Sequence, residues 1–257
     1  MTESKKYYHI GSLEKGIKVL EILAAKGALS VSQVAKECGY NRARAHRFLA
    51  TLRELGYVQQ NSFGKYELTF KLLGLALQLS TRFEIRKSAR EFMQQLAARH
   101  KETINLGFLE NCDIVHLEKI DSPELLRMDP GIGSRAPAHC TALGKAILAF
   151  LPQDGLQQFL ASASLRSRTP NTVNSAERLL QEMEAIRQQG FATDNEELCI
   201  GLRCIAVPIF DYQEHPRYSI SISGPAFRMT DARMEEMQQD LLRVGSELSQ
   251  RLQDAGQ

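Results

Sequence analysis

No apolar run in this 257-residue chain approaches the roughly 18 residues that a membrane-spanning helix needs, so no membrane anchor is expected. The opening MTESKKYYHIGS carries no apolar stretch behind its lysines, and no signal peptide is expected either. Cysteine is sparse: five residues, an odd number, scattered and without a CxxC pair. That pattern excludes a disulfide framework and fits a reducing compartment, so the expected address is the cytoplasm. His139 and Cys140 are adjacent, hence badly placed to close on one ion, and no metal site is expected. GIGSRA lacks the third glycine of a dinucleotide fingerprint, and ALGKAI has a Gly-Lys pair without an upstream glycine at P-loop spacing. No repeat or low-complexity tract is present. Cys204 with a histidine would imitate a thiol nucleophile, but no motif surrounds it. Neither a bound cofactor nor catalysis is expected.

What is present is the composition of a soluble globular protein, 43% hydrophobic and 24% charged, long enough for one large domain or two smaller ones. The net charge of +2 hides a division. Residues 1–80 hold twelve Lys/Arg against six Asp/Glu, or +6; the remainder holds twenty against twenty-four, or −4. Such asymmetry points to a polyanion-binding part joined to a part with other duties.

Ser12 is positioned to cap a first helix through Ile17, Leu20, Leu23 and Ala24, which Gly27 ends. SVSQVAKECG offers Ser30 and, three residues on, Gln33, the pattern of a capping box, with Gly39 as the stop. Asn41 caps a third helix, and the tight Gly39 turn makes the last two a helix-turn-helix. In that third helix Ala45, Phe48, Leu49, Leu52 and Leu55 follow helical spacing and face the core. Ala43, His46, Arg47 and Ala50 project away from that stripe, with Arg42 and Arg44 near the N-terminus. A solvated face usually mixes acids with bases, yet the first acid here is Glu54, at the far end. Arginines fork onto guanine edges or phosphates, and small Ala43 and Ala50 leave room for a groove. YVQQ and KYELT are strands joined by the turn NSFG, a hairpin that forms a wing. Lys65 near its tip either touches backbone phosphate or belongs to a plain closing hairpin.

From Phe70 to His100 the chain reads as almost continuous helix, apolar beyond the needs of a small winged helix. It either packs on a partner subunit, the reading favoured here, or caps its own domain. TINLGFLE and IVHLEKI are strands of a hairpin. Helical segments around 141–151 and 175–190, strands LRCIAVPIF and YSISIS, and a helix from about Asp231 to Leu252 complete an α+β domain. Thr141, Ala142 and Leu143 open an apolar helix whose free N–H groups suit a carboxylate. Ser221 and Ser223 alternate on one strand face, Cys204 lies in a neighbouring strand, and Asp194 falls in the FATDNEE approach to it. The plainer alternatives are a helix cap for Thr141, sheet filler for the serines and a small core residue for Cys204.

GSLEKGIKVLEIL, LSVSQVAKECGYNRARAHRFLATLRELGYV and YELTFKLLGLA resemble the DNA-binding half of the isocitrate lyase regulator (IclR) family of bacterial transcription factors. GSRAPAHCTALGKAILA, GFATDNEEL, GLRCIAVPIFD and SISISGP resemble the effector half, whose fold is similar to GAF domains. The resemblance implies a winged helix-turn-helix over 9–71, a linker helix over 72–86 and a GAF-like effector domain over 87–257. The DNA contacts expected from the third helix and the hairpin tip are Asn41, Arg42, Ala43, Arg44, His46, Arg47 and Lys65. Ala43 and Arg44 stand where members commonly have a Ser/Thr pair, so no operator sequence carries over. From the glyoxylate-sensing member of the family, ligand contacts carry over to Thr141, Ala142, Leu143, Asp194, Cys204, Ser221, Ile222 and Ser223. The expected protein is a regulator of a catabolic operon, a homodimer or a dimer of dimers on double-stranded operator DNA, controlled by a small organic acid. A metabolite-processing enzyme with an accessory DNA-binding domain is the alternative.

Overall fold

Four helices and a hairpin make up the first part of the computed structural model, which describes residues 10–80 and 84–255. They are α1 (Gly11–Lys26), α2 (Val31–Cys38), α3 (Arg42–Glu54), β1 (Val58–Gln60), β2 (Tyr66–Leu68) and α4 (Lys71–Ser80). Local chemistry sets the boundaries. Ser30 and Gln33 form the reciprocal capping box, the Ser30 hydroxyl taking the Gln33 N–H and the Gln33 amide oxygen taking the Ser30 N–H. Gly39 sits at φ 71°, ψ 33°, a left-handed conformation costly for a residue with a Cβ, and turns the chain from α2 into α3. Asn41 then caps α3, its side-chain oxygen 2.8 Å from the Arg44 N–H.

Val19 and Leu23 of α1, Val34 and Ala35 of α2, and Ala45, Leu49 and Leu52 of α3 meet Val58 and Tyr66 of the hairpin in one core. Leu49 is fully buried, and truncation to alanine costs about 2–5 kcal/mol by the usual cavity arithmetic. A bridge from Leu29 to Tyr66 ties the α1–α2 connection to the hairpin. Two expectations fail here. Helix α1 starts at Gly11 with Ile10 in the cap position and no side-chain cap, so Ser12 lies inside the helix. Leu55, expected in the core, is half exposed, because α3 ends at Glu54 and the chain turns away.

Contacts divide the chain into two units, Met1–Phe83 and Glu84–Gln257. The helix expected across 70–100 is described as α4 and α5 (Glu84–His100); residues 81–83 lie outside the described residues. The second unit is built on six antiparallel strands: β3 (Thr103–Glu110), β4 (Asp113–Ile120), β5 (Arg135–Pro137), β6 (Ala192–Asn195), β7 (Leu202–Phe210) and β8 (Pro216–Pro225), in the order β5-β4-β3-β8-β7-β6. Helices α5 and α9 (Asp231–Ala255) cover one face. Helix α6 (Ala142–Leu148) packs across β3, β8, β7 and β6 on the other, backed by α8 (Ala176–Gln189). Helix α7 (Gln153–Ser162) and the short strand β5 are elements the sequence reading did not separate, and FATDNEE proves to contain strand β6.

The two faces differ in kind. Toward α5 and α9 the central strands present Ile104, Leu106, Ile205, Val207, Ile220 and Ile222, all buried. Toward α6 the same strands present Asn105, Gly107, Cys204, Ser219, Ser221 and Ser223. Small and polar side chains let α6 lie close: the Ser219 hydroxyl donates to the Leu143 carbonyl at 2.9 Å. Gly144 is required for a related reason, since a Cβ there would stand 2.2 Å from the Ala138 carbonyl oxygen.

Candidate nucleic-acid interface and ligand cavity

Helix α3 buries Ala45, Leu49 and Leu52, and that fixes what its other side shows. Asn41, Arg42, Ala43, Arg44, His46 and Arg47 are all exposed, while Ala50 is half-buried. No ion pair engages Arg42, Arg44, His46 or Arg47 among the described residues. The Asn41 oxygen is committed to capping, which leaves only its amide N–H groups free. Across the hairpin, the Asn61 side-chain oxygen accepts from the Phe63 and Lys65 N–H groups at 3.0 and 3.1 Å, shaping a tight tip. Lys65 is exposed at that tip, and Phe63 beside it is 86% exposed. The surface is cationic, uncompensated and ends in a helix N-terminus, the chemistry that engages phosphate and guanine.

The second unit holds a partly open cavity of about 40 Å³ beneath α6. The α6 end supplies Thr141, Ala142 and Leu143; Asp194 and Cys204 come from β6 and β7; Ser221 and Ser223 come from β8. Strand register explains their meeting, because Asp194 pairs with Cys204 and Cys204 with Ser223. Ile222 does not join them: its side chain alternates onto the opposite face, fully buried among aliphatics. The Thr141 hydroxyl accepts from the Gly144 N–H and donates to the Pro137 carbonyl, both at 3.2 Å, so it serves as a helix cap.

Two lining residues escaped the sequence reading, Asn105 of β3 and His116 of β4. Their signal was a polar residue at an inward strand position, Asn105 in TINLGF and His116 in IVHLEKI, the second obscured by Glu118 and Lys119 in the same strand. The Asn105 amide donates to the Ser223 hydroxyl at 3.2 Å, and that hydroxyl also bonds the Cys204 thiol. Ile114, Met128, Leu198 and Leu202 give the cavity its apolar remainder.

Among the described residues, four lining atoms are buried without a partner: Asn105 Oδ1, His116 Nδ1, Asp194 Oδ2 and Ser221 Oγ. Leaving one such group unpaired costs about 1–3 kcal/mol. The other Asp194 oxygen accepts from the Glu197 and Leu198 N–H groups at 2.7 and 3.4 Å. Burial pushes the Asp194 carboxyl up to about 7, more than those N–H groups pull it down. Burial first, and then the Lys119 charge, hold the His116 imidazole down at about 4, so it is neutral at pH 7. Behind the wall lies Lys145, with none of its side chain exposed, ion-paired to Glu197 and Glu182. Burial alone would discharge it, but the two carboxylates hold its ammonium above the ordinary value. The Cys204 thiol is pushed well up by burial and then by Asp194, the reverse of what activates a nucleophile. Among the described residues no group of three His, Cys, Asp or Glu could hold a metal ion, and no helix is long and apolar enough to cross a membrane.

Comparison with known proteins adds an independent line. Residues 12–62 match the IclR helix-turn-helix domain, and residues 77–250 match the bacterial transcriptional regulator IclR C-terminal domain. The chain is 36% identical over 228 residues to the HTH-type transcriptional regulator KdgR of Escherichia coli (strain K12), covering 88% of this chain and 87% of that one. It is 31% identical over 245 residues to the regulator XynR of the same organism, covering 95% and 97%. The crystal structure of the Thermotoga maritima IclR superposes with a TM-score of 0.84 at 32% identity, covering 95% of this chain and 100% of that one.

Proposed function

This chain belongs to the IclR family of bacterial transcriptional regulators, and we propose that a small carboxylic acid in the second-unit cavity controls how its α3 surface holds operator DNA. It is a DNA-binding regulator with an effector domain. In the proposed arrangement Arg44 and Arg47 reach base edges, Arg42, His46 and Lys65 meet phosphate, and the Asn41 amide and Ala43 lie at the groove floor. A homodimer presents two such helices to two half-sites, and pairs of dimers extend the same contact. The exposed apolar residues Ile10 at the α1 cap, Leu13 and Ile17 of α1, and Leu73 and Leu75 of α4, in the stretch we assign as the linker (72–86), support a partner subunit. We place the regulator in the cytoplasm, beside a catabolic operon.

One observation carries the sensing half: four buried polar atoms converge on a single cavity with no partner of their own. Ser221, the protonated form of Asp194 and the first-turn N–H groups at Ala142 and Leu143 are donors that suit a carboxylate. For Ile222, only a main-chain contact fits its position. The acid acts by favouring one arrangement of the DNA-binding heads, since equal affinity for both arrangements shifts nothing. The competing enzyme reading finds no support in a thiol pushed up by burial. The test is a panel of small carboxylic acids screened by melting shift, followed by operator binding with the best binder and by a turnover assay with the same acid. A melting shift with altered operator affinity and no turnover supports the proposal; consumption of the acid refutes it.

A further inference from the structure

Helix α3 does not exhaust what the first unit offers to DNA. The β1–β2 hairpin ends in Asn61-Ser62-Phe63-Gly64-Lys65, and its most prominent side chain is a phenyl ring, 86% exposed. The hairpin does not need that ring. The Asn61 N–H donates to the Lys65 carbonyl at 2.8 Å, and the Gly64 N–H to the Asn61 carbonyl at 3.0 Å. The Asn61 side-chain oxygen takes the Phe63 and Lys65 N–H groups, and the Gln60 amide donates to the Gly64 carbonyl at 2.9 Å. Gly64 supplies the left-handed corner at φ 72°. The core stops short of the tip, at Tyr57 and Leu68. Among the described residues no ring or cation contact engages Phe63. A tip fixed by its own backbone thus holds an aromatic side chain in water, and little entropy is lost when a partner covers it. Its charge suits a polyanion. Lys65 is exposed beside the ring and unpaired among the described residues, while the hairpin's one acid, Glu67, accepts from Gln59 and Asn61 back along the strands.

We infer that Phe63 is a wedge: with α3 in a major groove, the ring enters the neighbouring minor groove, slides between two base pairs and kinks the duplex. This rests on the reading of α3 as the DNA-binding surface. The hairpin leaves α3 through the short turn 55–57, and from Val58 its tip stands roughly 10–15 Å out at strand rise. Adjacent groove centres lie about half of a 34 Å helical turn apart, so the tip spans the phosphate ridge between them. Lys65 meets that ridge, and Phe63 passes beyond it. A minor groove about 6 Å wide excludes a helix yet admits a single ring. Apolar side chains inserted this way partly unstack one step and bend the duplex by about 20–90°. Unstacking is easiest at TA and CA/TG steps, so Phe63 also reads sequence where no side chain hydrogen-bonds a base.

The experiment uses the full-length chain and a duplex that it selects from random sequence. Fluorophores at the two ends report bending, and 2-aminopurine placed in turn at each adenine reports unstacking. Wild type brings the duplex ends closer, and 2-aminopurine brightens at one step in each half-site. Phe63→Ala binds about fivefold more weakly or worse, the lower end of what one base–aromatic stack contributes, since the unstacked step offsets part of it. It also leaves the duplex nearly straight and the probe dark. Phe63→Leu keeps most of the bend, and Lys65→Ala lowers the salt slope by about 1 per head while keeping the kink. Because the ring is exposed, Phe63→Ala melts with wild type. Equal bend and equal affinity in Phe63→Ala overturn the wedge, as does a duplex that wild type binds without bending; the DNA-binding reading of α3 survives either result. A marked fall in melting temperature, or loss of an oligomer that wild type forms, gives the ring to the fold or to a second copy and overturns the wedge too. Failure of wild type to enrich any duplex overturns the DNA reading beneath it.

Discussion

The two units put their polar groups to opposite uses. On α3, Arg42, Arg44 and Arg47 are exposed and have no carboxylate partner among the described residues, and a solvated charge costs little. Around the cavity, Asn105, Asp194 and Ser221 are nearly inaccessible, and each holds an atom without a partner at about 1–3 kcal/mol. A surface that binds polyanion gains from counterion release and tolerates mobile side chains. A cavity that discriminates among small acids needs dipoles fixed before the ligand arrives, and only burial in a paired sheet fixes them. The difference teaches that functional polar groups are found by opposite tests in the two halves: missing neighbours of opposite charge in one, missing hydrogen-bond partners in the other.

The largest effect expected from breaking this division is on DNA. In the proposed arrangement, Arg44→Ala with Arg47→Ala removes two groove contacts of about 1–3 kcal/mol each, lowering affinity for the specific site about 30- to 10⁴-fold. The acid-induced melting shift should stay unchanged; if it vanishes too, the units do not divide the work as described. Next in size is salt. With about three phosphates neutralised per head of a dimer, log K should fall against log[salt] with a slope of roughly −5, or about three decades between 50 and 200 mM. A slope near zero would remove the electrostatic footprint inferred from the +6 charge of residues 1–80.

The cavity side is sharpened by Ser221→Ala with Ser223→Ala. Loss of the Ser221 hydrogen bond to a charged ligand, together with the Ser223 hydroxyl that holds the Asn105 amide, should weaken effector binding by about one to two orders of magnitude, with ligand-free operator binding intact. The smallest effect is on stability against pH. Asp194 is held at about 7 against an ordinary 3.8, so its contribution is full below about pH 4 and is lost as pH rises to about 7, then constant. His116 is held at about 4 against 6.5, so its contribution is full above about 6.5 and is lost as pH falls to about 4. Asp194→Asn should therefore flatten the wild-type decline between pH 6.5 and 7, a slope of at most about 1.4 kcal/mol per unit. Urea midpoints that run parallel for wild type and Asp194→Asn would show that this carboxyl does not titrate there.

Most of the first unit was legible because its signals are local. The Ser30–Gln33 box, the Gly39 stop and the Asn41 cap each act within a few residues, and all three stand in the structure. Ser12 misled because the α1 start is set by main-chain bonds from Leu13 and Glu14 to the Ile10 carbonyl, which no side-chain pattern announces. In the second unit, alternation in YSISIS correctly put Ser221 and Ser223 on one face, and the same rule sends Ile222 away from it. Asn105 and His116 were missed because their role depends on the β3–β4 register. A shift between Leu106 and Gly107 places His116 opposite Gly107, and no reading of one strand alone supplies that offset. The Lys145 pairing with Glu182 and Glu197 likewise joins residues far apart in sequence.

The central claim is that the cavity speaks to the DNA-binding surface, and one comparison tests it most directly. Take the acid giving the largest melting shift in wild type, and measure affinity for a duplex selected from random sequence, with and without saturating acid. Do this for wild type and for Ser221→Ala with Ser223→Ala, both at the acid concentration that saturates wild type. The account predicts that the acid changes wild-type DNA affinity by about 5- to 150-fold, a coupling of roughly 1–3 kcal/mol, and leaves the double variant near its ligand-free value. An equal change in both proteins, or none in a wild type that demonstrably binds the acid, would contradict it.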